Sequence, residues 1–140
     1  MKDGDGFDFI LDAYALLAFF DDEPGAQRVQ EYLESAESGE LALAISLIDL
    51  GEVVYIVERE RGLEQAKNVL STIRSLPITL LSVDERVVLA AAHIKANHRI
   101  SYADAFAAAS VHLWGGRLVT GDPEFRPLED EQNIAIEWLR

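Results

Sequence analysis

Short apolar runs alternate along the chain with longer stretches of mixed apolar and polar residues. Runs of four or five apolar residues are typical of buried β-strands. They predict strands at residues 7–11, 41–45, 78–81, 117–120 and 134–136. The longer stretches predict helices at residues 13–20, 24–38, 47–61 and 63–74, then one from Ser82 or Asp84 to Asn97, and one from Ser101 to Gly115.

This alternation of strands and helices predicts an α/β fold. Strands that are apolar throughout are typical of a parallel sheet covered by helices on both faces. The chain contains no internal repeat, no low-complexity tract and no linker long enough to divide it. We therefore expect a single α/β domain over residues 1–140, with a central, mostly parallel sheet between two helical layers.

Composition narrows the class of protein. Apolar residues make up 49% of the 140 positions, enough for one sizeable core. The absence of cysteine excludes a disulfide framework, a zinc–thiolate site and a thiol nucleophile. No apolar run approaches the ~20 residues of a membrane helix, and the acidic opening at residues 1–6 is unlike a signal peptide. We expect a cytoplasmic protein.

The net charge of −13 bears on possible partners. Phosphate backbones attract lysine and arginine, so this charge argues against a protein that binds nucleic acid by charge alone. An acidic cluster that binds divalent cations would reverse the local sign, and a basic partner protein would also suit the surface. The charge therefore disfavours a non-catalytic nucleic-acid binder more than a metal-dependent nuclease.

Two of the 25 acidic residues, Asp12 and Asp122, stand out because each lies just beyond the carboxyl end of a predicted strand. Asp12 is the only charged residue between Ile10 and Phe20, and Asp122 follows the fourth strand. Ligands of open α/β sheets gather at the carboxyl ends of strands. The structural alternatives are a helix N-cap for Asp12 and a simple Asp-Pro turn for Asp122.

Two other acids lie within apolar helical segments, where a charge is costly unless it is paired or binds a metal. Glu52 shares a predicted inward-facing helical stripe with Ile48, Tyr55 and Ile56. Its alternatives are a solvated position beside Gly51 or a pair with a buried arginine. Asp104 lies three residues after Ser101, where a capping box is the alternative.

Together, Asp12, Glu52, Asp104 and Asp122 predict a metal site. The first and fourth strands can be neighbours in a doubly wound sheet, and both helix starts would then lie at the same edge. Four carboxylates at one place would repel each other, and Mg²⁺ or Mn²⁺, which prefer oxygen ligands, would relieve that repulsion. Such ions support phosphodiester hydrolysis without a histidine base or a serine nucleophile.

The same residues lie in segments that resemble the PIN-domain family, in particular the VapC-type toxin ribonucleases of bacteria and archaea. The resemblance covers nearly the whole chain. Its segments are ILDAYALLA at residues 10–18, IS at 45–46 with GEVVY at 51–55, ISYADA at 100–105, LVTGDPEF at 118–125 and IEWL at 136–139. Each segment is weak by itself, but their order and spacing are specific.

The resemblance implies an α/β/α sandwich, Mg²⁺ or Mn²⁺ as cofactor, RNA as substrate, a homodimer and a small antitoxin protein as partner. It also assigns Asp12, Glu52, Asp104 and Asp122 to the family's acidic positions. It would place the Thr120 hydroxyl near the reacting water or phosphate. The chain departs from the pattern at Ala13, where many members carry threonine or serine.

Two other features of the sequence agree with this resemblance but are less specific. The basic residues near the predicted site are candidates for phosphate contact, with ordinary surface solvation as the alternative: Arg59, Arg61, Lys95, His98, Arg99, Arg117 and Arg126. The helices predicted between residues 47 and 74 are more apolar than a small monomer requires, which suits a dimer or an antitoxin helix.

Two further functions remain open from the sequence. Phosphoryl transfer through an aspartyl phosphate also places an aspartate at a strand end. However, Tyr14 stands where such phosphatases carry a second aspartate, and no lysine follows the fourth strand. The other alternative is a non-catalytic PIN-like scaffold that binds RNA or protein. The sequence leaves open which RNA would be cut, and whether one metal ion or two would bind.

Overall fold

A computed structural model describes residues 6–131 and 134–139, so most of the acidic opening, residues 1–5, lies outside it. Within these ranges it contains five strands, β1 (Phe9–Leu11), β2 (Leu43–Ser46), β3 (Ile78–Leu81), β4 (Arg117–Thr120) and β5 (Ile136–Trp138). The helices are α1 (Ala13–Phe20), α2 (Ala26–Glu37), α3 (Leu47–Arg61), α4 (Leu63–Ser75), α5 (Glu85–Asn97), α6 (Tyr102–Trp114) and α7 (Arg126–Glu131).

The strands form one parallel sheet in the order β3-β2-β1-β4-β5. The central strand β1 pairs with β2 on one side and β4 on the other, and Leu11 lies in register with Ile45 and Val119. The chain order reverses at β1, so the carboxyl ends of β1 and β4 lie side by side. Such a reversal is where open α/β sheets bind ligands.

Helices cover both faces of the sheet and divide the core into two layers. Ile10 packs into the layer that contains α5 and α6, and its neighbour Leu11 packs into the layer that contains α1 to α4. Successive strand residues point to opposite faces, so uniformly apolar strands fill both layers. The predicted three-layer α/β/α sandwich with a parallel sheet is confirmed.

Short polar side chains begin the helices that lead to the site. Ser46 accepts a hydrogen bond from Ile48 N–H at 3.1 Å, and Ser101 accepts one from Asp104 N–H at 3.1 Å. Asp84 accepts one from Val87 N–H at 3.0 Å, which decides between the two predicted starts of α5. These caps satisfy main-chain donors that the first helical turn leaves free.

The sequence prediction differed from the structure at several boundaries. The acidic run at residues 21–23 was expected to start a helix, but α2 begins later, after Gly25 with its positive φ of 99°. The fifth strand is Ile136–Trp138 and not residues 134–136. Helix α7 was not predicted; Pro127 lies in its first turn, where proline is tolerated. Among the described residues, no helix combines the length and apolarity needed to cross a membrane.

Candidate functional site

A small cavity of about 160 Å³ opens at the carboxyl edge of the sheet. The residues that line it are Asp12, Ala13, Tyr14, Leu17, Glu52, Ile56, Asp104 and Asp122. The structure thus brings together the four acids named from the sequence, although they come from four separate segments. β1 and β4 supply one acid each at their carboxyl ends, and α3 and α6 supply the other two from their first two turns.

Asp12 is the most enclosed of the four, with 1% of its surface exposed. Its Oδ1 accepts a hydrogen bond from Ala15 N–H at 2.9 Å, and its Oδ2 accepts one from the Thr120 hydroxyl at 2.5 Å. It therefore caps α1, as the structural alternative held, and faces the cavity as well. Burial raises the pKa of Asp12 to about 8, against the opposing effect of these hydrogen bonds.

Asp104 lies in the first turn of α6, where Ser101 caps the helix. Burial and, after it, the nearby carboxylates of Asp122 and Glu52 raise the pKa of the Asp104 carboxyl to about 7. Like charges placed together disfavour ionisation in this way. A bound cation would favour the ionised form of the same group.

Glu52 lies in the second turn of α3 and is half-buried. Its Oε1 is buried without a hydrogen-bond partner in the described part of the chain. Burial raises the pKa of Glu52, and Asp122 adds to the shift. Among the described residues, this oxygen therefore does not pair with a buried arginine, which was one alternative considered from the sequence.

Asp122 caps the short 3₁₀ turn Pro123–Phe125 by accepting a hydrogen bond from Glu124 N–H at 2.9 Å. Its own N–H donates to the Thr120 hydroxyl oxygen at 3.0 Å. The turn considered as an alternative is therefore present, and it holds Asp122 beside the other acids. Capping and convergence on the cavity are compatible at Asp12, Asp104 and Asp122.

The Thr120 hydroxyl lies between two of the acids, Asp12 and Asp122. Its side chain is fully buried, and its hydroxyl donates to Asp12 while it accepts from Asp122 N–H. A hydroxyl has one proton to donate. Because Asp12 takes that proton, Thr120 orients the acid and cannot at the same time donate to a phosphate.

Sequence reasoning missed Asp49, in the first turn of α3. The side chain is 0% exposed, and neither carboxylate oxygen has a hydrogen-bond partner in the described ranges. Burial raises the pKa of Asp49 well above its ordinary value, and Asp12 and Glu52 raise it further. The main-chain N–H of Ala13 opposes this shift, but its geometry is too poor for a hydrogen bond. The spacing of three residues from Glu52, one helical turn, was the available signal.

Two groups of acids are spaced closely enough to hold a cation. The carboxylate oxygens of Asp49, Glu52 and Asp104 lie within 4.8 Å of one another, and those of Asp104, Asp122 and Glu124 do the same. All these donors are oxygens, which suit hard divalent cations such as Mg²⁺ and Mn²⁺. Buried oxygens without partners are what such an ion would satisfy, so the residues present fit a metal site.

Several basic residues predicted near the site have partners within the protein. His98 contacts Glu131 at 3.0 Å, and Arg117 contacts Glu137 at 3.0 Å. Arg61 pairs with Asp21. Stacking occupies two more: the guanidinium of Arg59 lies 5.4 Å from the Tyr55 ring centroid, and that of Arg126 lies 4.8 Å from the Trp138 ring centroid.

Solved structures with the same fold come from several bacteria. A DNA-bound VapBC from Salmonella typhimurium is 21% identical, has a TM-score of 0.74 and matches 96% of this chain and 99% of its own. VapBC2 from Rickettsia felis, bound to a DNA fragment from its promoter, is 18% identical with a TM-score of 0.69, and covers 92% and 96%. VapC20 from Mycobacterium tuberculosis, described as a Sarcin-Ricin loop cleaving toxin, is 17% identical with a TM-score of 0.71, and covers 85% and 93%.

A comparison with curated proteins by sequence finds no match. The family model of the PIN domain matches residues 9–130, which include the whole acidic cavity. The segments that resembled this family in the sequence are therefore supported by both the family model and the fold. The chain belongs to the PIN-domain family.

Proposed function

We propose that this protein is a metal-dependent endoribonuclease that hydrolyses phosphodiester bonds within RNA. One observation carries the proposal: carboxylates from four separate segments line one cavity, and a buried oxygen of Glu52 lacks a protein partner there. Burying several carboxylates together costs free energy unless a cation compensates. Asp12 and Asp122 also cap local structure, but capping does not require four carboxylates in one cavity, which favours a functional role.

Asp12, Glu52, Asp104 and Asp122 would hold Mg²⁺ or Mn²⁺. When bound, such a cation activates water and stabilises the charge on a phosphodiester under attack. Thr120 fixes the orientation of Asp12, and the cap at Ser101 fixes the start of α6 beneath Asp104. Hydrogen bonds that orient ligands in this way are a general requirement of metal sites.

The size of the cavity indicates how a substrate would approach. A volume of about 160 Å³ is below the ~300 Å³ at which pockets begin to enclose drug-sized ligands. A nucleotide would not fit inside, so a phosphodiester would meet the acids at the opening while the polymer lies across the surface. This arrangement suits cleavage within a strand better than binding of a free nucleotide.

The acids themselves repel phosphate, so we expect RNA binding to depend on the metal. A bound divalent cation is commonly the largest local charge in its site and would reverse the sign of the potential at the opening. Arg126 is exposed four residues after Asp122 and would add a positive charge beside the opening. The overall charge of −13 is thereby reconciled with an anionic substrate.

The aspartyl-phosphate alternative is disfavoured by the setting of Asp12. Both of its carboxylate oxygens accept hydrogen bonds, and only 1% of its surface is exposed. A nucleophile needs an oxygen that can reach the phosphorus atom. Hydrogen bonds hold both oxygens of Asp12 in place, which suits a metal ligand better than an attacking nucleophile.

We also propose that the protein is the toxin of a toxin–antitoxin pair and acts as a homodimer. Support comes from the similar folds of a VapBC from Salmonella typhimurium and of VapC20, a toxin described as cleaving the Sarcin-Ricin loop. The α3–α4 pair exposes three large apolar side chains, Leu47 at 40%, Tyr55 at 52% and Leu63 at 54%. Co-purification with the product of a neighbouring small reading frame, and light scattering of the pure chain, would test the two partners.

The direct test of the nuclease proposal is cleavage of end-labelled RNA by the purified protein. Wild type should cut with Mg²⁺ or Mn²⁺, stop with EDTA and recover when metal is restored. Asp104→Asn should lose more than ~10²-fold, since even ligand-supporting residues of metal sites cost 10–100-fold. Glu58→Gln, an exposed acid later in α3, should leave cleavage unchanged. Cleavage that survives both EDTA and Asp104→Asn would contradict the proposal.

A further inference from the structure

Asp49 is a buried carboxylate without a function in the scheme above. It lies in the first turn of α3, where an acid commonly interacts with the positive helix end. That role requires no burial, yet Asp49 is 0% exposed, and neither oxygen has a hydrogen-bond partner in the described part of the chain. An apolar residue would fill the same space at lower cost.

The surroundings of Asp49 offer little protein compensation. The side chain of its neighbour Ala13 carries no donor, and the Ala13 N–H does not reach hydrogen-bond geometry. No arginine, lysine or histidine of the described residues forms an ion pair with it under 4.0 Å. The polar groups near the Asp49 carboxylate are themselves carboxylates, those of Glu52 and Asp104.

The spacing of these three carboxylates fits one cation. Their ligand oxygens lie within 4.8 Å of one another. Two oxygens on opposite sides of a divalent ion are separated by about 4–5 Å, since metal–oxygen distances are about 2.0–2.6 Å. A single ion between the three side chains would therefore contact all of them after small side-chain adjustments.

The second group of acids shares only one member with this one. Asp104 also lies within 4.8 Å of Asp122 and Glu124, which are half-buried and exposed. Asp49, by contrast, is fully enclosed. The two groups thus define an inner and an outer position on either side of Asp104.

We propose that Asp49 is a fifth metal-ligating carboxylate, which with Glu52 and Asp104 forms an inner divalent-cation subsite. This inference rests on the proposed function, since Glu52 and Asp104, the two partners of Asp49, line the proposed active-site cavity. It adds a ligand from the first turn of α3 and gives the buried Asp49 oxygens a partner. It also assigns Glu52 to the inner position, with Asp122 and Glu124 at the outer one.

Manganese binding by electron paramagnetic resonance tests the proposal, because free Mn²⁺ gives a strong signal and bound Mn²⁺ does not. Wild type, Asp49→Asn and the control Glu58→Gln are titrated with Mn²⁺ alone. Asp49→Asn should lose one bound ion per chain, or bind one at least tenfold more weakly, while Glu58→Gln should match wild type. Equal stoichiometry and affinity in wild type and Asp49→Asn would overturn the proposal.

Thermal unfolding keeps the test valid if a variant folds poorly. With EDTA, Asp49→Asn should melt no lower than wild type, because the amide removes a buried charge of similar shape. Mn²⁺ should then raise the melting temperature of Asp49→Asn less than that of wild type. Asp49→Ser serves as a second variant: its smaller side chain lowers the melting temperature in EDTA, but Mn²⁺ should again raise that temperature less than it does for wild type. If Mn²⁺ raised all three melting temperatures equally, Asp49 would not be a ligand.

The outcomes separate this inference from the proposed function. If Asp49→Asn weakens Mn²⁺ binding but wild type does not cleave RNA, the subsite stands and the nuclease proposal fails. If wild type cleaves RNA with Mn²⁺ and Asp49→Asn leaves Mn²⁺ binding unchanged, the nuclease proposal stands and Asp49 is a buried acid without a metal.

Discussion

The hydroxyl of Thr120 donates a hydrogen bond of 2.5 Å to Oδ2 of Asp12, across 108 residues of sequence. The bond joins the carboxyl ends of two adjacent parallel strands, β1 and β4. Thr120 also accepts from Asp122 N–H, so one buried hydroxyl holds two of the proposed ligands in position. The geometry of the acidic cavity therefore depends on a residue that is itself uncharged.

Replacing this hydroxyl tests its positioning role. Thr120→Val removes both hydrogen bonds and keeps the shape, so we expect Mn²⁺ affinity to fall by about 10–100-fold, as for other residues that orient metal ligands. Thr120→Ser retains the hydroxyl and should lie within a few-fold of wild type. Calorimetric titration with Mn²⁺ measures both. Equal weakening by the two variants would assign the effect to packing and not to the hydrogen bonds.

Gly121 is tightly packed against Tyr14. A Cβ at this position would lie 2.3 Å from Cε1 and 2.7 Å from Cζ of the Tyr14 ring. Gly121→Ala should therefore lower the free energy of unfolding by about 1–3 kcal/mol, the usual cost of overpacking. The cost should shrink in a Tyr14→Ala background, because the clash is removed. Urea unfolding of the four proteins gives this coupling directly, and additive effects would show that the ring is not the obstacle.

The buried acids predict an unusual pH dependence of the metal-free protein. Burial raises the pKa of Asp12 to about 8 and that of Asp104 to about 7. An unfolded aspartate has a pKa of about 3.9. The folded state thus binds extra protons between these values, so this contribution to stability is complete below about pH 4 and is lost as the pH rises through about 7 and 8.

Melting temperatures in EDTA from pH 5.5 to 9 measure this effect. Wild type should lose stability across the range, and Asp12→Asn should lose less, so the difference between the two should grow with pH. Glu58→Gln controls for the general self-repulsion of an acidic chain. Parallel curves for wild type and Asp12→Asn would show that Asp12 does not titrate as its burial indicates.

Two arginines near the site should differ in their contribution to RNA binding. Arg126 is exposed beside a cavity that Gly121, Pro123 and Trp138 also line, next to Asp122. Arg61 is already paired with Asp21. With Mn²⁺ present and a non-cleavable RNA analogue as ligand, Arg126→Ala should weaken RNA binding and reduce the salt dependence of log Kd by about one. Arg61→Ala should change neither, and an equal effect of both would indicate long-range attraction only.

Much of the fold could be predicted from periodicity and capping. The parallel sheet and six of the helices follow from apolar runs separated by amphipathic stretches, because those patterns reflect burial on two faces or one. The predicted helix boundaries were less accurate where a helix start depends on the conformation of the preceding turn. The positive φ of Gly25 and the start of α7 beside Pro127 depend on local conformations that no apolar pattern encodes.

The site was predicted in part, for a physical reason. Asp12 directly follows β1 and Asp122 follows β4 after one glycine, so their place at the sheet edge could be inferred from topology. Asp49 was overlooked because an acid in the first turn of a helix is ordinary, and only tertiary packing encloses it. The same packing turns Tyr55 outward, to 52% exposure, although helical spacing suggested that it shares an inward stripe with Glu52.

The central claim is that carboxylates from distant segments share divalent cations at the edge of the sheet. Anomalous scattering from a crystal grown with millimolar Mn²⁺ tests it most directly. We expect manganese peaks in the cavity lined by Asp12, Glu52, Asp104 and Asp122, absent in crystals of Asp104→Asn. An ordered cavity that shows no manganese peak between these side chains would contradict the account.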